Sequence, residues 1–221
     1  MKFSEALGLC RGITAVIGSG GKSSLLNTLA TELRDRGTVV LCTTTHMFPP
    51  EHMCTLQRAD AETVTRALSR DGAVCAGELA CDGRLHSPLL PISELALLAD
   101  YVLVEADGSK RLPLKAHAPH EPVIPEATAR TVCVVGLSGI GRPVSETVHR
   151  PERFAALAGC GPEDAVTPEL AARVLNREAL ADIFYLNQAD VSGDAAPRLA
   201  ALLDKPAVWG SLHGRWVQCL Y

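Results

Sequence analysis

The chain has 221 residues, 47% of them hydrophobic and 21% charged, with a formal charge of −4. That composition suits one globular domain with a real core, and the acidic balance argues against a broad nucleic-acid or anionic-membrane surface. No apolar run reaches bilayer-spanning length. The opening "MKFSEALGLCRG" carries Glu5 and no signal-peptide core, so a cytoplasmic protein without membrane or nucleic-acid partners is expected.

Short β-branched runs alternate with helical stretches, which predicts an α/β layer fold. "ITAVIG" (13–18) reads as a buried strand that enters a glycine-rich loop. "KSSLLNTLATELRDRG" then places Leu25, Leu26, Leu29, Ala30 and Leu33 on one helical face and stops at Gly37. A second strand is expected at 38–45, a helix at 60–69, and a small hairpin insert near 73–90 around the Asp82-Gly83 turn. "ISELALLAD" leads as a helix into the strand "YVLVEADGSK", and a proline-rich loop (112–125) precedes a strand at 131–137. A helical insert is expected near 141–181, with Pro151 opening one helix and Thr167 capping another before Pro168. "DIFYLNQAD", a helix at 197–203 and the strand "AVWGSL" close the chain.

Four of these strands end in polar residues, and in a parallel sheet those ends share one edge, where ligands bind in open α/β folds. At the first, Gly18, Ser19, Gly20, Gly21, Lys22, Ser23 and Ser24 fit a short G-[ST]-x-G-K-[ST] phosphate loop. The longer Walker A spacing would need a glycine where Val16 stands. The compact form resembles the loop of Mur-type amide ligases, in which the strand runs straight into the glycines. Backbone N–H groups and the helix N-terminus would hold phosphate, Lys22 would neutralise its charge, and Ser23 would reach Mg²⁺.

The second end, "TTTH", offers hydroxyls of which Thr44 is the candidate for metal or γ-phosphate. The third places Glu105 and Asp107 two residues apart, on one face of the strand end, as a Walker B-like pair for Mg²⁺ and an attacking water. The fourth, "NQAD", resembles the guanine-reading N-K-x-D of GTPases, with Asn187 and Asp190 as base contacts and Gln188 in the lysine position. The choice between GTP and ATP stays open. "WGSLHG" (209–214) is a possible second base-contact loop.

The eight cysteines contain no C-x-x-C and read mostly as reduced, half-buried hydrophobes. Cys75 and Cys81 form the exception, in one exposed-looking segment, and Cys42 is the cysteine placed nearest the phosphates. His117 and His120 have ligand spacing, but the prolines around them deny a helix, so they read as substrate-loop residues.

The ordered set "IGSGGKSS", "TTTHMFPP", "VEADGSKRLPLKAHAPHEPVIP", "VHRPERFAAL" and "LNQAD" resembles the YqeC family, whose members are described as selenium-dependent hydroxylase accessory or selenium cofactor biosynthesis proteins. The resemblance runs from about residue 12 to 211 and implies a single P-loop NTPase-like domain over 1–221, with three layers and a mostly parallel sheet. It further implies an NTP-binding, Mg²⁺-dependent factor that matures selenium-dependent molybdenum hydroxylases, with the hydroxylase or its cofactor-maturation proteins as partners. Lys22, Glu105 and Asp107 would be catalytic, and Ser23, Thr44 and Asp107 would be metal-holding. Lys110, Arg111, Lys115, His117 and Arg150 would face a second ligand or partner. A nucleotide-gated carrier with little hydrolysis, a kinase- or ligase-type enzyme, and a thiol carrier are the alternatives.

Overall fold

A computed structural model describes residues 1–219. In chain order its elements are α1 (Phe3–Ala6), β1 (Gly12–Gly18), α2 (Lys22–Leu33), β2 (Val39–Thr43), β3 (Cys54–Leu56), α3 (Ala61–Asp71) and β4 (Ala73–Ala76). Then come β5 (Glu78–Leu79), β6 (Leu85–His86), α4 (Ile92–Leu98), β7 (Tyr101–Glu105), β8 (Leu114–Lys115), β9 (Thr128–Gly136), α5 (Val144–Thr147) and β10 (Val148–His149). The chain continues through α6 (Pro151–Ala158), α7 (Pro168–Glu178), β11 (Ile183–Asn187), α8 (Ala195–Leu202), β12 (Ala207–Ser211) and β13 (Trp216–Cys219).

The central sheet has nine strands in the order β13-β12-β11-β9-β1-β7-β2-β4-β3. Every neighbouring pair is parallel except β12 with β13. The alternating side chains of β1 explain the layers. Val16 packs on one face with Phe3 of α1, with Leu7 just after it, and with Leu25, Leu26, Leu29 and Leu33 of α2. Ala15 and Ile17 point to the other face, against Phe154, Leu175 and Leu199 of α6, α7 and α8. Toward the β2 side, α3 and α4 cover that second face over Val40, Val74 and Val102. The result is the expected three-layer α/β architecture with a P-loop NTPase-like layout.

Local chemistry sets the element ends. Asp60 accepts from Thr63 N at 2.8 Å and Gly72 ends α3 in the left-handed region. Thr167 accepts from Leu170 N at 3.3 Å with Pro168 in the first turn of α7.

Two expectations need correction, and two edge strands have no counterpart in the sequence reading. The strand expected to reach Thr45 stops at Thr43, because the Thr43 hydroxyl donates to Glu105 O at 2.8 Å and turns the chain. The hairpin is confined to β5 and β6; residues 73–76 form β4 of the central sheet, paired with β2 and β3. The edge strands β3 and β13 carry partly exposed side chains and so lack the buried-run pattern that reveals the central strands.

β1 lies between β7 and β9; the chain places β2, β3 and β4 beyond the β7 position, returns to fill β7 beside β1, and only then crosses to β9 on the other side. That reversal opens a crevice at the carboxyl end of β1. Leu29 is fully buried beneath it. Leu29→Ala should cost about 2 to 5 kcal/mol in a urea titration, whereas Thr28→Ala, on the outer side of the same helix, should stay within about 0.5 kcal/mol.

Candidate functional site

The loop after β1 is shaped by close backbone approach. Gly20 has φ +86°, and a Cβ there would lie 2.4 Å from Gly136 Cα and 2.8 Å from Pro113 O. Gly18, at φ +89°, would place a Cβ 2.2 Å from Val134 O. Glycine is required at both positions by space as well as by conformation. Asn187 completes the cradle: its Nδ2 donates to Gly20 O at 2.8 Å, and its Oδ1 accepts from Leu212 N at 3.2 Å and Tyr185 Oη at 3.1 Å. Ser19 Oγ donates to Leu112 O.

The first N–H that α2 satisfies itself belongs to Leu25, bonded to Gly21 O at 2.9 Å. The N–H groups of Gly20, Gly21, Lys22, Ser23 and Ser24 meet no acceptor among the described residues. They converge at a helix N-terminus, the arrangement that favours an anion. These residues line a cleft of about 620 Å³, walled on the far side by Gln188, Asp190 and His213.

Behind the loop lies Asp107, fully buried. Its Oδ2 accepts from Gly18 N at 2.9 Å, His117 Nε2 at 2.8 Å and Lys115 Nζ at 2.9 Å, while Lys22 Nζ lies 3.0 Å from Oδ1. Burial alone would raise the pKa of this carboxyl, but the His117 hydrogen bond and the Lys22 and Lys115 charges hold it well below the usual range. His117 is bound on its other nitrogen by Glu178 Oε2 at 2.7 Å. Burial works against its charge, yet the hydrogen bonds to Asp107 and Glu178 outweigh burial and hold its pKa above the ordinary value. Lys115 also reaches Glu121 at 2.6 Å, and Glu121 takes both terminal nitrogens of Arg150 at 2.9 Å. The pairing of β8 with β10 holds Lys115 beside His149 and so brings Arg150 close.

Glu105 behaves differently. Burial raises its pKa, only partly offset by Lys22 at 4.0 Å and by the Ser23 hydroxyl, which donates to Oε2 at 3.0 Å. Glu105 and Ser23 line both the phosphate-loop cleft and a second cleft of about 950 Å³ beside it.

The residues singled out in the sequence therefore divide. Gly18 to Ser24, Glu105, Asp107, Lys115 and His117 come together, but Asp107 lines neither cleft: its Oδ2 takes three donors, while Oδ1, with Lys22 Nζ at 3.0 Å, has no hydrogen-bond donor among the described residues. Thr44 lines the second cleft, its hydroxyl donating to Val123 O at 2.7 Å. Lys115 and His117 are not open substrate contacts: both are buried partners of Asp107. Arg150 is spent on Glu121, whereas Lys110 and Arg111 are exposed on the second cleft. Asn187 shapes the loop, and Asp190 stands on the phosphate-cleft wall.

Cys42 is buried under α3 and α4, which pushes its thiol pKa up; Cys133 is the cysteine beside the loop, its Sγ 2.9 Å from where a Gly18 Cβ would stand. Cys75 is buried in β4 while Cys81 is exposed, so they do not share an exposed segment. Among the described residues no cluster of three His, Cys, Asp or Glu side chains is arranged to hold a metal, and no helix is long and apolar enough to cross a membrane. Glu178 had no signal in the sequence, since it ends a helix 61 residues from its partner His117.

A parallel sheet whose central strand runs through a glycine loop into a helix N-terminus defines an α/β protein of P-loop NTPase-like layout. The chain belongs to the YqeC family: the family model for YqeC protein matches residues 14–152. It is 36% identical over 159 residues to YqeC of Escherichia coli (strain K12). That match covers 68% of this chain and 62% of the relative, so the aligned stretch spans less than two thirds of the relative's length. The matched region of the family holds Asp107, Lys115 and His117, while Glu178, Asn187 and Asp190 lie beyond it.

Two outcomes follow from this geometry. Gly20→Ala should cost about 2 kcal/mol or more in chemical denaturation, against about 1 kcal/mol for Gly83→Ala, where φ is +78° but a Cβ meets open space. His117, with its folded pKa raised, contributes stability that is complete below its unfolded value near 6.5 and is lost as pH rises through the folded value. Thermal melts from pH 6.5 upward should fall for the wild type and lose most of that slope in His117→Gln; parallel slopes would show that the Asp107–His117–Glu178 bridge is not charged.

Proposed function

We propose that this protein binds a nucleoside triphosphate at residues 18–24 and hydrolyses it as an accessory factor in maturing selenium-dependent molybdenum hydroxylases. The pathway rests on the family resemblance alone. The nucleotide site rests on one observation: the N–H groups of residues 20–24 stand without acceptors around a lysine at the floor of a nucleotide-sized cleft.

Lys22 Nζ is now drawn back onto Gly18 O at 2.8 Å and toward Asp107. A polyphosphate in the loop competes for that ammonium group. Releasing it would strand many buried carboxylates at a cost of several kcal/mol, but Asp107 keeps Lys115, His117 and the Gly18 N–H. The network therefore lets Lys22 change partners without leaving a bare buried charge.

Ser23 Oγ and the Glu105 carboxylate are hard oxygen donors 3.0 Å apart on the cleft wall, and they fit Mg²⁺. Bound there, the ion would neutralise phosphate charge. In hydrolysis, water attacks the γ-phosphorus, the bond to the β–γ bridging oxygen breaks, and nucleoside diphosphate and phosphate leave. With Asp107 occupied by protein cations, Glu105 is the carboxylate of the pair that faces the cleft, and it cannot serve metal and water equally. This favours, as a second reading, a nucleotide-gated carrier with little turnover. Asp190 on the outer wall keeps guanine reading open, and the kinase- or ligase-type alternative would use the same loop.

Mg·GTP and Mg·ATP should be titrated against the wild type and Lys22→Ala, with phosphate release followed in the same samples. One nucleotide should bind the wild type, and the variant should lose roughly 10- to 100-fold in affinity, the worth of a charged hydrogen bond. Binding without phosphate release selects the carrier reading; binding of neither nucleotide to the wild type overturns the proposal.

A further inference from the structure

We infer that the second cleft is the site of a co-substrate that carries an anionic group on an aromatic or apolar body. As a co-substrate site it rests on the nucleotide reading of the neighbouring cleft. The two clefts meet at Ser23, Glu105, Ser109 and Arg111, so a molecule in the second lies just beyond the end of a triphosphate held in the first. The volume, about 950 Å³, is within the range of small-molecule sites.

Charge selects the occupant. The acids on the walls each have a cation beside them: Glu78 has Arg58 at 3.5 Å, Glu121 has Lys115 and Arg150, and Glu105 has Lys22 at 4.0 Å. Arg84 is likewise paired with Asp82. Lys110 and Arg111 have no carboxylate within ion-pair distance among the described residues, and the lining is left with their uncompensated positive charge. Burial first, then the Arg150 and Lys115 charges, hold the His149 pKa on this wall below its ordinary value, consistent with a positive field there.

The backbone is held against its preference to present these cations. Lys110 and Arg111 have φ +50° and +62°, consecutive left-handed residues that are not glycine, at about 1 to 2 kcal/mol each. Such outliers concentrate where a ligand is handled. An apolar wall faces them. Phe48 is 55% exposed with the Arg111 guanidinium 5.3 Å from its ring centroid, and Leu79 of the hairpin is 49% exposed. The Met47–Leu85 bridge ties that hairpin to the loop after β2, so both walls belong to one connected segment.

The test uses phenyl phosphate, benzoate and phenol as probes, by ligand-observed NMR on the full chain saturated with Mg²⁺ and a non-hydrolysable nucleotide. Phenyl phosphate or benzoate should bind at least about tenfold better than phenol, and whichever is tighter names the anionic group. Lys110→Ala should weaken the anion about tenfold, as for one charged hydrogen bond, with nucleotide affinity retained as proof of folding. Phe48→Ala should weaken phenyl phosphate more than inorganic phosphate. The inference is overturned if phenol binds as well as the anions, if Lys110→Ala changes nothing, or if nucleotide excludes the probe altogether. Should the wild type bind no nucleotide, the same titration in nucleotide-free Lys22→Ala separates the two ideas. Anion binding kept there and lost in Lys110→Ala supports the second site without its neighbour; binding lost in Lys22→Ala assigns the probe to the phosphate loop and sinks the second site.

Discussion

The buried carboxylate of Asp107 is the constraint from which the site takes its shape. A lone carboxylate with no exposure would cost several kcal/mol of solvation, so the groups around it are needed as a set. Gly18 N fixes the start of the loop, Lys115 fixes the short β8–β10 pairing, and His117 reaches Glu178 at the end of α7. One side chain thus ties the ends of β1 and β7 to the helical crossover that follows β9. The cluster places two carboxylates, Asp107 and Glu178, on either side of the His117 ring, and their hydrogen bonds raise its pKa against the effect of burial.

Asp107 can do this because of where the sheet puts it. β7 runs beside β1 in register, with Glu105 opposite Val16, so the residues after Glu105 arrive level with the start of the glycine loop. β9 on the other flank sends Gly136 against Gly20. The loop is pinched between the two neighbours of its own strand, and its free N–H groups are pushed toward the crevice. The cradle is a consequence of strand order as much as of the glycines.

The layers and the loop were legible in the sequence because both rest on local signals: buried apolar runs for the central strands, and glycines with Lys22 between strand and helix. The same signals placed Thr167 and Pro168 at a helix start. What was not legible depends on distance along the chain. The acid pair Glu105 and Asp107 has the spacing of two equivalent metal ligands, yet Asp107, two residues past the end of the strand, turns inward to His117 and leaves Glu105 on the cleft. Asn187 looked like a base reader, but the approach of β11 to the loop spends its amide on Gly20 O. Adjacency to a polar strand end points to Cys42, but strand β9 carries the thiol that stands against the loop, Cys133. Strands β3 and β13, half exposed at the sheet edges, gave no buried run to detect.

These placements bear on how the two clefts would work together. A group at their seam has to answer to both, and Glu105 does: it touches Ser23, sits 4.0 Å from Lys22 and lines each cleft, while burial keeps its pKa high. In the proposed reading, Lys22 moving from Asp107 to a phosphate alters the charge beside Glu105 at the moment the first cleft fills. The phosphate brings negative charge and Lys22 already stands beside Glu105, so an accompanying Mg²⁺ would be the charge that favours the ionised carboxylate, the form able to hold it. Asp107 need not follow, since Lys115 and His117 remain. The buried cluster then acts as a fixed counter-charge, and the movable parts of the site reduce to Lys22 and Glu105.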